Sequence, residues 1–185
     1  PGILTPPSLD GPTPTRAEFH LPPHGPIYLC PQSLFKLHPD MDALFVGLLA
    51  ADPTGWISLI EPPEPVWRNQ LEARWQNAAW TRRIVWIPLV DPAGFLRLLA
   101  TASVLLDTRP FGGGYTTYQA LALGVPVVTW PGDFLRGRVT LGCYLQMGLP
   151  DGPAWSADEY IARAVTWAHS PPPRHDLADQ ARALF

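Results

Sequence analysis

Charge is scarce in this sequence. Charged residues make up 16% of its 185 positions, neither sign dominates, and the formal net charge is −3. No basic face of the kind that grips nucleic acid or an anionic bilayer is present, so neither is expected as a partner. No segment approaches the ~18 apolar residues of a spanning helix, and no membrane insertion is expected. Two cysteines, Cys30 and Cys143, are too few for a disulfide framework or a cysteine-rich metal site. No basic-then-apolar leader opens the sequence, and a cytoplasmic setting is the expectation. Neither a G-x-G-x-x-G dinucleotide fingerprint nor a Walker lysine accompanies its glycine-rich segment.

What is plentiful is apolar and aromatic. Hydrophobic residues form 46% of the chain, with 8 tryptophans and 7 phenylalanines. That suits a folded domain with a sizeable core. Proline is also abundant, and eight prolines fall in the first 26 residues. Because proline lacks a backbone donor and biases its neighbours to extended geometry, residues 1–25 read as a connector or a wrapping segment. Residues 26–185 read as the folded domain.

In that domain short apolar runs alternate with amphipathic stretches. Ile27–Cys30, Trp56–Ile60, Ile84–Ile87, Val104–Leu106 and Val125–Trp130 read as strands. Between and after them, helical spacing starts at Pro39 and covers Val66–Ala78, the Phe95–Ala102 stripe, Thr116–Leu123 and Phe134–Met147. Ser156 and Glu159 form a capping-box pair ahead of another helix, and a last one is expected over Arg174–Leu184. Strand and helix in alternation predict an α/β fold, a Rossmann-like, doubly wound parallel sheet.

Ligands of such sheets bind beyond the carboxyl ends of the strands. There, Val104–Leu106 runs into Arg109-Pro110-Phe111, then Gly112-Gly113-Gly114-Tyr115-Thr116-Thr117. Glycines permit positive φ and close approach of an anion, and a helix start offers free N–H groups. The hydroxyls of Thr116 and Thr117 add donors, and one of them is also a candidate N-cap. The segment reads as a phosphate cradle, although a glycine loop closed by a capping threonine explains it structurally as well.

Several ordered motifs sharpen this reading. They are Leu105-Leu106-Asp107-Thr108, the run from Phe111 to Leu121, Gly124-Val125-Pro126-Val127-Val128-Thr129-Trp130-Pro131-Gly132, Arg136-Gly137-Arg138-Val139, and upstream Ser33-Leu34-Phe35-Lys36. Together they resemble the catalytic region of O-linked N-acetylglucosamine transferases, above all their bacterial relatives fused to tetratricopeptide repeats. More distantly they are similar to bacterial cytoplasmic N-glycosyltransferases. The resemblance implies a two-lobed GT-B enzyme, of which this chain is the C-terminal, donor-binding lobe. It implies inverting transfer of N-acetylglucosamine or a hexose from a UDP-sugar to protein side chains, with no metal and no other cofactor. On the same ground Lys36 is the catalytic cation at the diphosphate. Ser33, Gly113, Gly114, Thr116 and Thr117 surround the donor, and main-chain groups at Val90 read the uracil edge. Gln119 stands where relatives hold the ribose with a carboxylate, Tyr115 replaces a histidine, and Phe95 replaces another histidine at the donor. The protein or peptide acceptor would be met through the N-terminal lobe, so the lobe alone is expected to be inactive. The alternative is a degenerate nucleotide-binding or scaffolding module of a repeat protein. A nucleotide-sugar epimerase of similar two-lobed fold fits the motif order less well.

Other signals have structural explanations. Asp40-Met41-Asp42 matches a metal-binding D-x-D pattern, but both carboxylates fall in the first turn of a helix, where they complement its dipole. His20 and His24 have ligand spacing only on a helix, which Pro22 and Pro23 forbid. His38 is read as a cap neighbour or a pocket residue, and Cys143 as a packed small hydrophobe. Arg136 and Arg138 are unfavourable at the positive end of a helix, so an anion contact or a bond to a neighbouring loop is expected of them.

Overall fold

A computed structural model describes residues 6–76 and 78–185. The first five residues of the expected connector lie outside the described residues. Twelve elements form the domain: β1 (Ile27–Cys30), α1 (Pro39–Ala51), β2 (Trp56–Glu61), α2 (Val66–Trp75), β3 (Ile84–Pro88), α3 (Pro92–Thr101), β4 (Val104–Leu106), α4 (Tyr115–Ala122), β5 (Val127–Val128), α5 (Val139–Gln146), α6 (Ala157–His169) and α7 (Arg174–Ala181). Short 3-10 turns, among them Leu34–Lys36 and Leu135–Gly137, join them.

All strand pairs are parallel, in the order β3-β2-β1-β4-β5. Period-two alternation sends successive side chains to opposite faces. Ile27 and Leu29 of β1, Leu105 of β4 and Val127 of β5 enter one core with α3, α4, α5 and α7. Tyr28, Cys30, Val104, Leu106 and Val128 enter the other, with α1, α2 and α6. The expected doubly wound, Rossmann-like sheet is thus observed, with helices on both faces. Part of the proline-rich stretch lies against this unit. Phe19 and Leu21 are buried in the first core, and Arg97 of α3 binds Glu18 and the carbonyls of Asp10 and Pro12. Among the described residues, no helix is long and apolar enough to cross a membrane.

Some expected boundaries shift. Helix α2 stops at Trp75 rather than Ala78, because Gln76 turns to positive φ (48°) and caps it on the Glu72 carbonyl. The expected strand Val125–Trp130 shrinks to two residues, since the Val125 N–H turns back to Ala120 O and Thr129 O receives Ala154 N–H. The expected helix Phe134–Met147 is broken into a turn and α5, because the Arg136 carbonyl accepts from Gly112 N–H instead of continuing the helical ladder. Ser156 caps α6 through Glu159 N–H, but the Glu159 carboxylate takes Trp155 N–H, so the reciprocal half of the capping box is displaced by one residue.

The set-aside signals resolve as local structure. His38 is itself the N-cap of α1, accepting from Asp40 N–H at 3.3 Å. Asp42 holds Arg74 through both oxygens, at 2.8 and 2.7 Å, and also accepts from the Trp75 indole, tying α1 to α2. Arg138 bonds the Gly132 carbonyl of the neighbouring loop. Cys143 is buried, and burial pushes its thiol up to about 11.

Candidate functional site

The sheet order reverses between β1 and β4, which opens a crevice at their carboxyl ends. The loop after β1 carries Gln32 and Lys36, and the loop after β4 carries Asp107 and the three glycines. The Lys36 ammonium donates to Gln32 Oε1 at 2.9 Å and to the Gly112 carbonyl at 3.1 Å, and lies 4.1 Å from the Phe111 ring centroid. An ammonium has three donors, so one remains for a ligand. Burial lowers the Lys36 pKa, while Asp107 and Cys30 act to raise it.

Beneath the loop lies the Asp107 carboxylate, 4% exposed. One oxygen accepts Gly113 N–H at 2.6 Å and the other accepts the Thr129 hydroxyl at 2.8 Å, while Tyr160 donates to the Asp107 carbonyl. Burial pushes the Asp107 carboxyl up, against the pull of Gly113 N–H, the Thr129 and Thr140 hydroxyls and the Lys36 charge.

The glycines serve this geometry differently from the sequence expectation. None of Gly112, Gly113 and Gly114 has positive φ. They are needed because the loop is squeezed. A Cβ on Gly112 would come within 2.8 Å of the Asp107 carboxylate, and one on Gly113 within 2.6 Å of Thr117 Oγ1 and 2.9 Å of Gln32 Nε2. Gly113 N–H is directed at Asp107, so it does not face an incoming anion. Gly114, not a threonine, is the N-cap of α4. The N–H groups of Tyr115 and Thr116 begin α4 without intrahelical acceptors. A Cβ on Gly114 would meet no protein atom within 4 Å.

Of the remaining expected residues, Thr116 is half-buried, whereas Thr117 is buried and shares a 3.0 Å hydrogen bond with Thr140 of α5. Thr117 therefore braces the loop from within. Tyr115 is 52% exposed at the helix start, and Gln119 is half-buried one turn on. Ser33 lines a cavity of about 400 Å³ together with Gln32, Phe35, Trp67, Leu89 and Phe95. This cavity sits beyond the carboxyl ends of β1, β2 and β3. Val90 is at its edge in the chain, but its side chain packs into the core while Leu89 lines the space. Lys36, the glycines and the α4 start thus come together, with Ser33 and Phe95 beside them.

Gln32 and Thr140 are not singled out by the sequence, and Asp107 and Thr129 stand there only within motifs. A carboxylate ending a strand just before a glycine loop is a usable signal for Asp107. Thr140 offers none, because its role depends on how α5 packs.

The match to known proteins is consistent along the chain. The family "Glycosyl transferase family 41" matches residues 10–180. An Arabidopsis thaliana protein described as a probable UDP-N-acetylglucosamine–peptide N-acetylglucosaminyltransferase is 28% identical over 174 residues, 92% of this chain and 18% of its own length. A Caenorhabditis elegans UDP-N-acetylglucosamine–peptide N-acetylglucosaminyltransferase is 26% identical over 151 residues, 82% of this chain and 13% of its own length. Among solved structures, a mutant of the Thermobaculum terrenum O-GlcNAc transferase superposes with a TM-score of 0.74 at 26% identity, over 86% of this chain and 31% of that one. The chain thus spans less than a fifth of these two curated relatives. The superposition shows its Rossmann-like sheet to be that of a GT-B half.

Proposed function

Because the chain belongs to glycosyl transferase family 41, we propose that it is the donor-binding lobe of a metal-independent, inverting protein glycosyltransferase that uses a UDP-sugar. The observation that carries this reading is the meeting of Lys36 with the glycine loop and the α4 start, across the point where the sheet order reverses. Inverting transfer leaves negative charge on the departing diphosphate, and fixed donors must stabilise it. The free N–H of Lys36 and the opening N–H groups of α4 are such donors, with the helix dipole behind them. The adjoining cavity between Ser33, Leu89 and Phe95 offers the base a largely apolar seat. On this reading Gly114, Tyr115 and Thr116 at the start of α4 meet the phosphates, and Gln119, one turn on, meets the ribose. A protein acceptor, an N-terminal lobe and a cytoplasmic setting complete this reading, as does N-acetylglucosamine as the transferred sugar, the sugar in the names of the Arabidopsis and nematode relatives.

UDP should raise the melting temperature of the chain more than ADP or GDP does. A ligand that binds only the native state adds RT ln(1 + [L]/Kd), about 2.7 kcal/mol at a hundredfold excess over Kd. A thermal scan in which millimolar UDP gives no shift, or no more than GDP gives, sinks the donor-site reading. A small but uridine-specific shift would instead favour the degenerate module.

The same titration should be indifferent to EDTA. Asp42 is committed to Arg74 and Trp75, and the cradle relies on an ammonium and backbone donors. A large loss of UDP affinity on chelation, restored by Mn²⁺, would show that a metal shares the charge after all.

A further inference from the structure

The Gly112 carbonyl and the Gly113 N–H belong to one peptide unit. Its oxygen accepts from Lys36 Nζ at 3.1 Å and its N–H donates to Asp107 Oδ1 at 2.6 Å. One peptide plane therefore bridges a buried carboxylate and a half-buried ammonium, with its dipole aligned between them. Such chains of hydrogen bonds polarise and strengthen one another in a poorly solvated interior. The loop is closely packed at this peptide, since a Cβ on Gly112 would collide with Asp107 and one on Gly113 with Thr117 and Gln32.

From this geometry we propose that Asp107 is a positioning residue of the diphosphate cradle, holding Lys36 charged and in place through the Gly112–Gly113 peptide. The proposal rests on the donor-site reading for its consequence on UDP, but the coupling of Asp107 to Lys36 stands without it. The ionisable groups that face Asp107 are Cys30 on β1, Cys143 and Tyr144 on α5, Tyr160 on α6 and Lys36 on the turn after β1. Burial pushes Cys30 up to about 12, Cys143 up to about 11, and both tyrosines upward. All four are neutral near pH 7, which leaves Lys36 as the cation of this set. In turn, the Asp107 charge is what raises the Lys36 pKa against burial.

Lys36 is the single lysine of the chain, so ¹⁵N-lysine labelling gives one ammonium resonance to follow. Asp107→Asn preserves shape and an acceptor for Gly113 N–H while removing the charge. Its Lys36 resonance should titrate at lower pH than in the parent chain. A diphosphate prefers the protonated lysine, so UDP affinity should begin to fall at a correspondingly lower pH. At neutral pH the substitution should weaken UDP about fivefold, within the usual range for coupled neighbours, and change nothing in a Lys36→Ala background. Uridine affinity should be unaffected. An unmoved Lys36 titration, an equal loss in the Lys36→Ala background, or a gain in UDP affinity would overturn the proposal. The gain would mean that Asp107 acts on the diphosphate merely as a nearby negative charge. Should Asp107→Asn not fold, the coupling is read from the other side. The ¹³C resonance of the Asp107 carboxyl should titrate at higher pH in Lys36→Ala than in the parent, and an unmoved midpoint overturns the inference. Absence of UDP binding by a parent chain that shows the coupling overturns the donor-site reading alone.

Discussion

Lys36→Ala should weaken UDP binding by about 1.5–3 kcal/mol, the cost of losing a bond to a charged group, while uridine binds both forms about equally. In the free chain, two of the three ammonium donors are taken by Gln32 and the Gly112 carbonyl. That pair fixes the ammonium and leaves its third donor for a ligand, and the Phe111 ring beneath it favours its charge. Alanine removes both that donor and the positive charge, and leaves the cavity lined by Ser33, Leu89 and Phe95 untouched. The contrast between UDP and uridine carries the inference, because a generally damaged domain would lose both ligands together. Calorimetric titration of both ligands, with circular dichroism to verify folding, decides it. UDP affinity intact in a folded Lys36→Ala protein would make Lys36 a structural lysine that only tethers the glycine loop.

The elements that the sequence made legible are those whose local pattern and tertiary role coincide. Strands β1 and β4 are legible to the residue because their apolar runs are fully buried and end at Pro31 and Asp107. The start of α1 was read from Pro39, whose missing donor costs nothing in a first turn. Local pattern and structure part where a distant segment claims a backbone group. Helical spacing runs through Phe134–Met147, yet the Arg136 carbonyl is drawn to Gly112 N–H. Gly137 fits there because a Cβ would come within 2.7 Å of the Pro110 carbonyl. No one-dimensional pattern encodes such a contact. The candidate site was legible in the same uneven way. The glycine run and Lys36 stood out through motif likeness, and the fold brings them together. The reason for the glycines was missed, since positive φ is a local property and close approach to Asp107 and Gln32 is not. Thr117 illustrates this as well. Its hydroxyl reads as a phosphate donor beside Thr116, but α5 supplies Thr140 to engage it.

Gly113→Ala should cost more UDP affinity than its single added methyl suggests, by more than about tenfold, or about 1.4 kcal/mol. The new Cβ would lie 2.6 Å from Thr117 Oγ1 and 2.9 Å from Gln32 Nε2, well inside contact distance. Neither neighbour can yield without consequence. The Thr117 hydroxyl is held by Thr140 at 3.0 Å, and Gln32 Oε1 receives the Lys36 ammonium at 2.9 Å. If Gln32 swings away, Lys36 loses one of the two bonds that aim it. If the loop lifts instead, Gly113 N–H leaves Asp107 and the buried carboxylate loses a donor. Either relaxation displaces Lys36 or the glycine loop, and overpacking of this kind lowers stability by about 1–3 kcal/mol. Gly142→Ala provides the control, because a Cβ there meets nothing within 4 Å in the middle of α5. It should leave UDP binding unchanged and raise stability by about 0.5–1 kcal/mol through helix propensity. Urea unfolding midpoints and UDP dissociation constants of the two variants separate the effects. Parent-like values of both quantities for Gly113→Ala would show that the loop is not clamped between Asp107 and Gln32, and the cradle would then need a different architecture.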